Sequence, residues 1–157
     1  MDWSGWATFG VIATVLLTAV LVGAQLAGFT RLDIPLMLGT IVTGDPDRAR
    51  FVGSIAHVVF GQFFALFYVA GFAELGRSGL WLGALFGVLH ATVAGTLLVP
   101  LLATIHPRMA TDRAGPDSTA TLEPPGLLAL NYGWSTPLVT VAAHMVYGAV
   151  LGLFLHS

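Results

Sequence analysis

The chain has 157 residues, of which 56% are hydrophobic and only 9% are charged, and its formal net charge is −2. A soluble domain of this size needs a much more charged surface, so the composition favours an integral membrane protein. The absence of cysteine excludes disulfides and thiolate metal sites, and no basic run is present that would favour binding to nucleic acid.

Four apolar stretches are long enough to cross a bilayer as helices, which takes about 20 residues each. They cover approximately residues 6–29, 51–74, 80–105 and 136–155. The first lacks the basic start of a secretory signal and is longer than a signal's apolar core, so we expect it to be retained. The sequence therefore predicts an all-α integral membrane four-helix bundle, with residues 1–157 as a single domain.

The first loop has two local signals. Residues 32–42 are apolar but interrupted by Pro35 and Gly39, so we expect this segment to lie at the membrane interface. Asp45 followed by Pro46 has the pattern of a helix N-cap with proline at the first helical position. Thr136-Pro137 has the same pattern and predicts the start of the fourth helix.

The other two loops differ in length. Residues 76–79 read Gly-Arg-Ser-Gly, and so short a connection predicts that the second and third helices are antiparallel neighbours. Residues 106–135 form a long polar loop rich in proline, serine and threonine. A loop of this length is expected to be mobile or functional, and we expect it to fold over the bundle ends or to dock on a partner.

The basic residues predict the orientation. All six are arginines, and five lie in the first and third loops: Arg31, Arg48, Arg50, Arg108 and Arg113. Only Arg77 lies in the second loop. By the positive-inside rule, the first and third loops are cytoplasmic and both termini lie outside.

An internal repeat links the second and fourth helices. Residues 55–67 (IAHVVFGQFFALF) and 142–154 (AAHMVYGAVLGLF), 87 positions apart, share six identical positions. Phe9-Gly10-Val11 and Phe86-Gly87-Val88 match more weakly in the preceding helices. This pattern predicts two tandem transmembrane hairpins related by a pseudo-twofold axis along the membrane normal.

The repeat carries two histidines on small-residue faces. His57 and His144 are followed four residues later by Gly61 and Gly148, on the same helical face. Small residues on one face mark helix contacts in membranes, so both imidazoles are expected to point into the bundle. His90 lies beside a similar face of the third helix, which predicts three histidines at one level in the cytoplasmic half.

The most specific interpretation of this pattern is haem b. The second and fourth helices are expected to be diagonal, so that His57 and His144 face each other as axial ligands of a b-type haem. Gly61 and Gly148 would leave room for the macrocycle. The placement resembles the core of membrane b-type cytochromes, although helix two carries one histidine where those cores usually carry two on each ligand helix.

Three other interpretations remain open. Gly53 and His57 could hold a (bacterio)chlorophyll, and His57, His90 and His144 could form a metal or proton site, although no intramembrane carboxylate accompanies them. The histidines could also be purely structural and bond to carbonyls or hydroxyls. The candidate partners for that role are Thr14, Thr18, Gln62, Thr92, Thr96 and Tyr147.

Several segments carry a resemblance to known sequences. The run from Asp33 to His57, the segment GRSGLWLGALFGVLH and the motif HPRM, which also has the form of a helix stop, resemble uncharacterised four-helix bacterial inner-membrane proteins. The resemblance implies the fold and the compartment and brings no activity with it.

The function predicted from these observations is that of a non-catalytic accessory subunit. It would pack against other membrane subunits, or against copies of itself, through its glycine faces. The alternative is a b-type haem protein that passes electrons within the bilayer. No Gly-x-Ser-x-Gly elbow or phosphate loop is present to favour an enzyme.

Overall fold

A computed structural model describes residues 3–110, 119 and 121–155. The described chain is helical, which confirms the predicted all-α class, and four of its helices are long and apolar enough to cross a membrane. In chain order the elements are α1 (Trp3–Leu26), α2 (Ile34–Gly39), α3 (Pro46–Leu75), α4 (Leu80–Val93), a π-helical segment (Ala94–Leu98), α5 (Val99–Ile105), a 3₁₀ segment (Leu127–Tyr132) and α6 (Thr136–Phe154).

The ends of α3 follow from local side-chain and backbone chemistry. Asp45 is the N-cap, as predicted, because its Oδ1 accepts a hydrogen bond from the backbone N–H of Arg48 at 2.8 Å. This cap starts the helix at Pro46 rather than at residue 51. The helix ends at Gly76, whose left-handed conformation (φ 60°) closes it without the steric cost that a side chain would bring.

The start of α6 differs from the prediction. The helix begins at Thr136, but its N-cap is Ser135, which makes no capping bond with its side chain. The hydroxyl of Thr136 instead pairs with the hydroxyl of Thr30 at 2.8 Å, in a buried contact. Thr136 therefore fixes the loop after α1 to α6 rather than capping its own helix.

The third span is continuous but changes its winding. One π-helical turn, Ala94–Leu98, separates α4 from α5, and Pro100 follows it. Proline has no N–H to donate, and in a regular α-helix its ring clashes with the carbonyl four residues earlier. The wider π turn accommodates Pro100 without breaking the span.

The long helices form a ring with one open side. α1 packs against α3 and α6, and α6 packs against α4, but the backbones of α3 and α4 make almost no close contact. α3 and α4 are neighbours, as predicted, only near their short turn, where side chains of the two helices touch. There Phe72 stacks on Phe86 at 5.3 Å, and Tyr68 meets the same ring at 5.8 Å. A gap remains beyond this aromatic layer.

Glycines allow close backbone contact between α4 and α6. A Cβ atom on Gly83 would lie 1.9 Å from the carbonyl oxygen of Gly148, and a Cβ on Gly148 would lie 2.0 Å from that of Gly83. A Cβ on Gly87 would lie 2.1 Å from the carbonyl oxygen of His144. Only a hydrogen atom fits at these positions, so these glycines form helix contacts within the chain.

The apolar segment 32–42 forms α2, which lies against α3. A Cβ on Gly53 would lie 1.7 Å from the carbonyl oxygen of Pro35, so the two backbones touch. Leu32 and Met37 are buried in a small second core with Met109 and Ala129. The part of the long loop from residue 121 onward thus folds back onto α2, whereas residues 111–118 and 120 lie outside the described residues.

Candidate functional site: a histidine-lined cavity

A cavity of about 410 Å³, here called the histidine cavity, lies inside the open ring of helices. Its volume falls in the range of small-molecule sites, about 300–1,000 Å³. Most of its lining is apolar. Six lining residues carry polar side chains: Thr14, His57, His90, Thr140, His144 and Tyr147. The three predicted histidines therefore share one cavity.

His57 is oriented by α1. Its Nδ1 lies 3.1 Å from the hydroxyl of Thr18, and this hydroxyl also lies 2.8 Å from the carbonyl oxygen of Thr14, to which it donates. Thr18 is one of the partners predicted from the sequence. The other ring nitrogen, Nε2, has no hydrogen-bond partner within the described part of the chain.

His144 is oriented within its own helix. Its Nδ1 donates to the carbonyl oxygen of Thr140, one turn earlier, at 2.8 Å. The hydroxyl of Thr140 is buried and, among residues 3–110, 119 and 121–155, has no hydrogen-bond partner. The carbonyl oxygen of Thr140 thus accepts from the histidine, while its hydroxyl is enclosed and has no partner in the described chain.

His90 stands between aromatic side chains and His144. The centre of its ring is 4.6 Å from that of His144, edge to face, and 4.4 Å from that of Phe64. Its Nδ1 lies 3.3 Å from the hydroxyl of Tyr68. His90 therefore joins α4 to both α3 and α6 at the end of the aromatic layer.

The two predicted glycines have different surroundings. Gly61 lines the cavity, but a Cβ there would lie 1.9 Å from the hydroxyl oxygen of Thr14 on α1. Its carbonyl accepts a 2.6 Å hydrogen bond from the hydroxyl of Tyr147. Gly148 lies in the backbone contact with Gly83 and is not part of the cavity wall. The space at both glycines is filled by neighbouring helices.

Two irregular backbone segments meet at one side of the cavity. A Cβ on Gly95, in the π turn, would lie 2.9 Å from Cδ2 of Leu128. Leu128 and Ala129 both have left-handed backbones, with φ of 55° and 56°. This conformation is unfavourable for side chains with a Cβ. Strained residues and π turns concentrate at functional sites, which favours this wall as part of one.

The 3₁₀ segment is held to the first loop by polar contacts. Arg31 pairs with the Glu123 carboxylate at 3.0 Å and donates to the carbonyl oxygen of Asn131 at 2.5 Å. The hydroxyl of Tyr132 donates to the carbonyl oxygen of Glu123 at 2.5 Å. Burial, reinforced by the charge of Glu123, raises the pKa of Tyr132 to about 12. The raised pKa keeps the phenol protonated, and therefore a donor, further into the alkaline range.

His106 has a role that the sequence did not reveal. The HPRM motif does end α5, as a helix stop would, but the ring of His106 is also buried. Its Nδ1 accepts from the backbone N–H of Arg108 at 3.1 Å, and its Nε2 lies 2.9 Å from the carbonyl oxygen of Met37. His106 therefore ties α2 to the end of α5 and has no ring nitrogen left for a ligand.

Within the described chain, no group of three or more His, Asp or Glu side chains is arranged to hold a metal ion. The suggestion that His57, His90 and His144 form a metal site is therefore not supported. Tyr68 and the carbonyl of Thr140 were not identified in advance as histidine partners. Their roles depend on how the helices pack, which spacing along one helix cannot give.

No protein-family model, curated protein or solved structure matches this chain. The resemblance to four-helix bacterial inner-membrane proteins therefore adds no residue role.

Proposed function

We propose that this is a non-catalytic, multi-pass membrane protein that holds a membrane-soluble small molecule in the histidine cavity. The observation that supports this most strongly is a cavity of about 410 Å³ with three imidazoles in a largely apolar wall. Polar side chains inside a membrane are costly and mark functional sites by default. A pocket with apolar walls and few polar groups is suited to a small apolar ligand.

The proposal includes insertion of all four spans in a bacterial inner membrane, with both termini outside. The support is the hydropathy of the four helices, 1.7 to 2.2, and the bias of the arginines toward the first and third loops. Arg113, one of those arginines, lies outside the described residues. Descent of the two hairpins from one ancestral hairpin is a further part of the proposal, supported by the repeat.

The bilayer is the proposed source of the ligand. Phe60 and Phe63 line the cavity, yet they are also 47% and 52% exposed. They lie on α3, which borders the open side of the ring. A ligand dissolved in the lipid would therefore enter sideways between α3 and the third span, past these two rings.

The experiment is to identify what copurifies with the protein. The protein would be purified from its native membrane in gentle detergent and extracted with solvent, and small molecules would be quantified by mass spectrometry. We expect one compound close to one copy per chain. Leu98→Trp, which fills the cavity from the π turn, should lose it.

The matched control is Leu97→Trp, because Leu97 is the neighbouring residue, is 58% exposed and does not line the cavity. This variant should retain the compound at the wild-type level. A folded wild-type protein that carries no more small molecule than Leu98→Trp would contradict the proposal.

Haem b is the second candidate, with His57 and His144 as axial ligands. The supporting observation is that each ring uses Nδ1 for a hydrogen bond and leaves Nε2 without a partner in the described chain. A bound haem would supply one-electron chemistry, and this chain would supply two neutral imidazoles. A haem macrocycle would find no space beside Gly148, because α4 is in backbone contact with that residue.

The visible spectrum tests the haem candidate. A haem-containing preparation would be red, and its Soret band would be lost in both His57→Ala and His144→Ala. A colourless protein from haem-replete cells would exclude this candidate and leave the small-molecule proposal intact.

Association with other membrane subunits, or with copies of itself, is the remaining proposal. The glycines at positions 53, 61, 83, 87 and 148 pack within the chain, so a partner would need a different surface. Recovery only as a free monomer after gentle solubilisation would contradict a role as an accessory subunit.

A further inference from the structure

We infer that the ligand of the histidine cavity carries a hydroxyl group, as an apolar alcohol or phenol does, rather than only acceptor groups such as a ketone, ester or ether. This inference rests on the proposed function and specifies the ligand chemistry of the same site. It follows from the hydrogen-bond donors and acceptors that remain unpaired on His57, His144 and Thr140 after their contacts within the protein.

The contacts of Thr18 fix the proton of His57. A threonine hydroxyl has one hydrogen, and that of Thr18 is directed to the carbonyl oxygen of Thr14 at 2.8 Å. The 3.1 Å contact between this hydroxyl and His57 is therefore a hydrogen bond only if Nδ1 of the imidazole donates. In the neutral ring Nε2 then carries a lone pair and can only accept.

A carbonyl fixes the proton of His144. The carbonyl oxygen of Thr140 cannot donate, so Nδ1 of His144 must carry the hydrogen of their 2.8 Å bond. Nε2 of His144 is consequently a second acceptor. Two rings on different helices thus have the same tautomer and bring two acceptors to one cavity.

Both rings are neutral in a membrane interior. A charged side chain there is costly unless it is paired, and no carboxylate is among the described residues that line the cavity. Neutral imidazoles with Nδ1–H cannot donate from Nε2. A ligand that offers only acceptors would leave both nitrogens unpaired.

Thr140 supplies the complementary group. Its buried hydroxyl has no partner among the described residues, and the residue lines the same wall as His144. A ligand hydroxyl can donate to an imidazole Nε2; to accept from Thr140 as well, it needs that enclosed hydroxyl to rotate toward the cavity. An alcohol or phenol has this combination in a single group, whereas an ether or ketone can only accept.

His106 shows that this tautomer is not general in the chain. Its Nδ1 accepts from the backbone N–H of Arg108, and its Nε2–H therefore donates to the carbonyl oxygen of Met37. Both of its nitrogens are satisfied within the protein. His106 is thus an internal reference with the opposite proton position.

A matched pair of probes tests the inference. 4-Octylphenol and its methyl ether have the same apolar body and differ in one donor hydrogen. Binding to the full chain in lipid nanodiscs would be measured from the shift of the thermal unfolding midpoint as a function of probe concentration. We expect the phenol to bind about tenfold more tightly, since a hydrogen bond of about 1.4 kcal/mol corresponds to a factor of ten.

The outcomes separate this inference from the proposed function. Tighter binding of the phenol supports both. Equal binding of phenol and ether would overturn the inference but leave a ligand-holding cavity. Failure of both probes to bind would count against the proposed function itself. A red protein that binds neither probe would overturn the inference in favour of haem.

A variant and its control locate the effect. His144→Phe should reduce the advantage of the phenol over the ether, and His57→Phe/His144→Phe should abolish it, because His57 is the second acceptor; neither variant should change binding of the ether. Met145→Phe, at a neighbouring exposed position outside the cavity wall, should bind both probes as the wild type does. Loss of phenol selectivity in Met145→Phe as well would remove His144 from the argument.

Nitrogen NMR of the wild-type protein gives a test that does not depend on any variant folding. In protein labelled with ¹⁵N-histidine, the ring shifts identify which nitrogen carries the proton. We expect Nδ1–H at His57 and His144 and Nε2–H at His106. Nε2–H at both cavity histidines would overturn the inference, because those nitrogens would then be donors.

Discussion

Helix α4 meets α6 and α3 in two different ways. Against α6 it presents Gly83 and Gly87, and each would place a Cβ within about 2 Å of a carbonyl oxygen across the contact (1.9 and 2.1 Å). Toward α3 it presents Phe86 and His90, whose rings separate the two backbones. One helix thus builds a close contact with glycines on one face and borders a ligand-sized gap with aromatic rings on another.

The contacts between helices also differ from those that an exact repeat would give. An exact twofold axis would make the α1–α6 contact equivalent to that between α3 and α4, yet the former pair packs closely and the latter does not. Phe64 aligns with Leu151 in the repeat. Leu151 is fully buried in the main core, whereas Phe64 lies against His90 in the gap. If the two halves share an origin, bulky residues on α3 have since opened one of two equivalent contacts.

Adding one methyl group to the close contact should have the largest effect. Gly83→Ala would place a Cβ 1.9 Å from a backbone oxygen that no rotamer can move. We expect a loss of about 3 kcal/mol in stability, the upper part of the usual range for overpacking. Thermal unfolding in detergent, followed by circular dichroism, measures it.

Gly23→Ala is the matched control, since a Cβ at Gly23 on α1 meets nothing within 4 Å. It should change stability by less than about 1 kcal/mol, in the stabilising direction, because alanine favours a helix over glycine. Equal effects of the two substitutions would mean that α4 and α6 are not in backbone contact.

Substitution of two hydroxyl residues near the cavity histidines should lower stability less than Gly83→Ala does, and by unequal amounts. Thr18→Val removes the hydroxyl that accepts from His57 and leaves the ring N–H unpaired, so we expect a loss of about 1 kcal/mol. Thr140→Val removes a hydroxyl that has no partner in the described chain, and it should be neutral or slightly stabilising. Chemical unfolding of both variants in mixed micelles decides the order, and a larger cost at position 140 would contradict the assigned contacts.

The smallest effect is expected at alkaline pH, in the 3₁₀ segment that borders the cavity. The pKa of Tyr132 is raised from its ordinary value of 10.0 to about 12. The folded state therefore favours the neutral phenol. Its contribution to stability is complete below about pH 10 and is lost as the pH rises toward 12. Hydrogen exchange of residues 127–132 should accelerate across this interval.

Tyr132→Phe provides the control for the pH effect. It lacks the ionising hydroxyl, so its exchange in the same segment should show no additional step between pH 10 and pH 12. An identical step in the variant would mean that another group controls the segment.

The spans and the inward direction of the histidines could be predicted because they depend on order along a single helix. Hydropathy and spacing at four residues are enough for His57 and His144. A hydrogen bond from His57 to a hydroxyl such as that of Thr18 could also be anticipated, since few hydroxyls lie on the neighbouring helix. The π turn also had a visible cause in Pro100.

The cavity could not be predicted from spacing. Its existence depends on the distance between α3 and α4, which is set by how rings such as Phe72 and Phe86 stack between two helices. The return of residues 121–135 onto α2 could not be predicted for the same reason, because it depends on the packing of Leu122 and Ala129 in the second core beside Met37. Gly148, expected beside a macrocycle, lies against α4 for a reason visible only once the partner helix is known.

The short turn between α3 and α4 has a mechanical consequence. Gly76 and Gly79 both have positive φ, 60° and 147°, and a Cβ on Gly152 would lie 2.2 Å from the carbonyl oxygen of Gly79, so one end of the turn is anchored on α6. Further along its length α3 is held from the opposite side: a Cβ on Gly61 would lie 1.9 Å from the hydroxyl oxygen of Thr14 on α1, and the carbonyl of Gly61 accepts from Tyr147 on α6. α2 is tied in turn to the end of α5 by His106. The opening between α3 and α4 is therefore a slot in a braced frame, and a ligand that enters there would have to displace side chains such as Phe60 and Phe63 rather than whole helices.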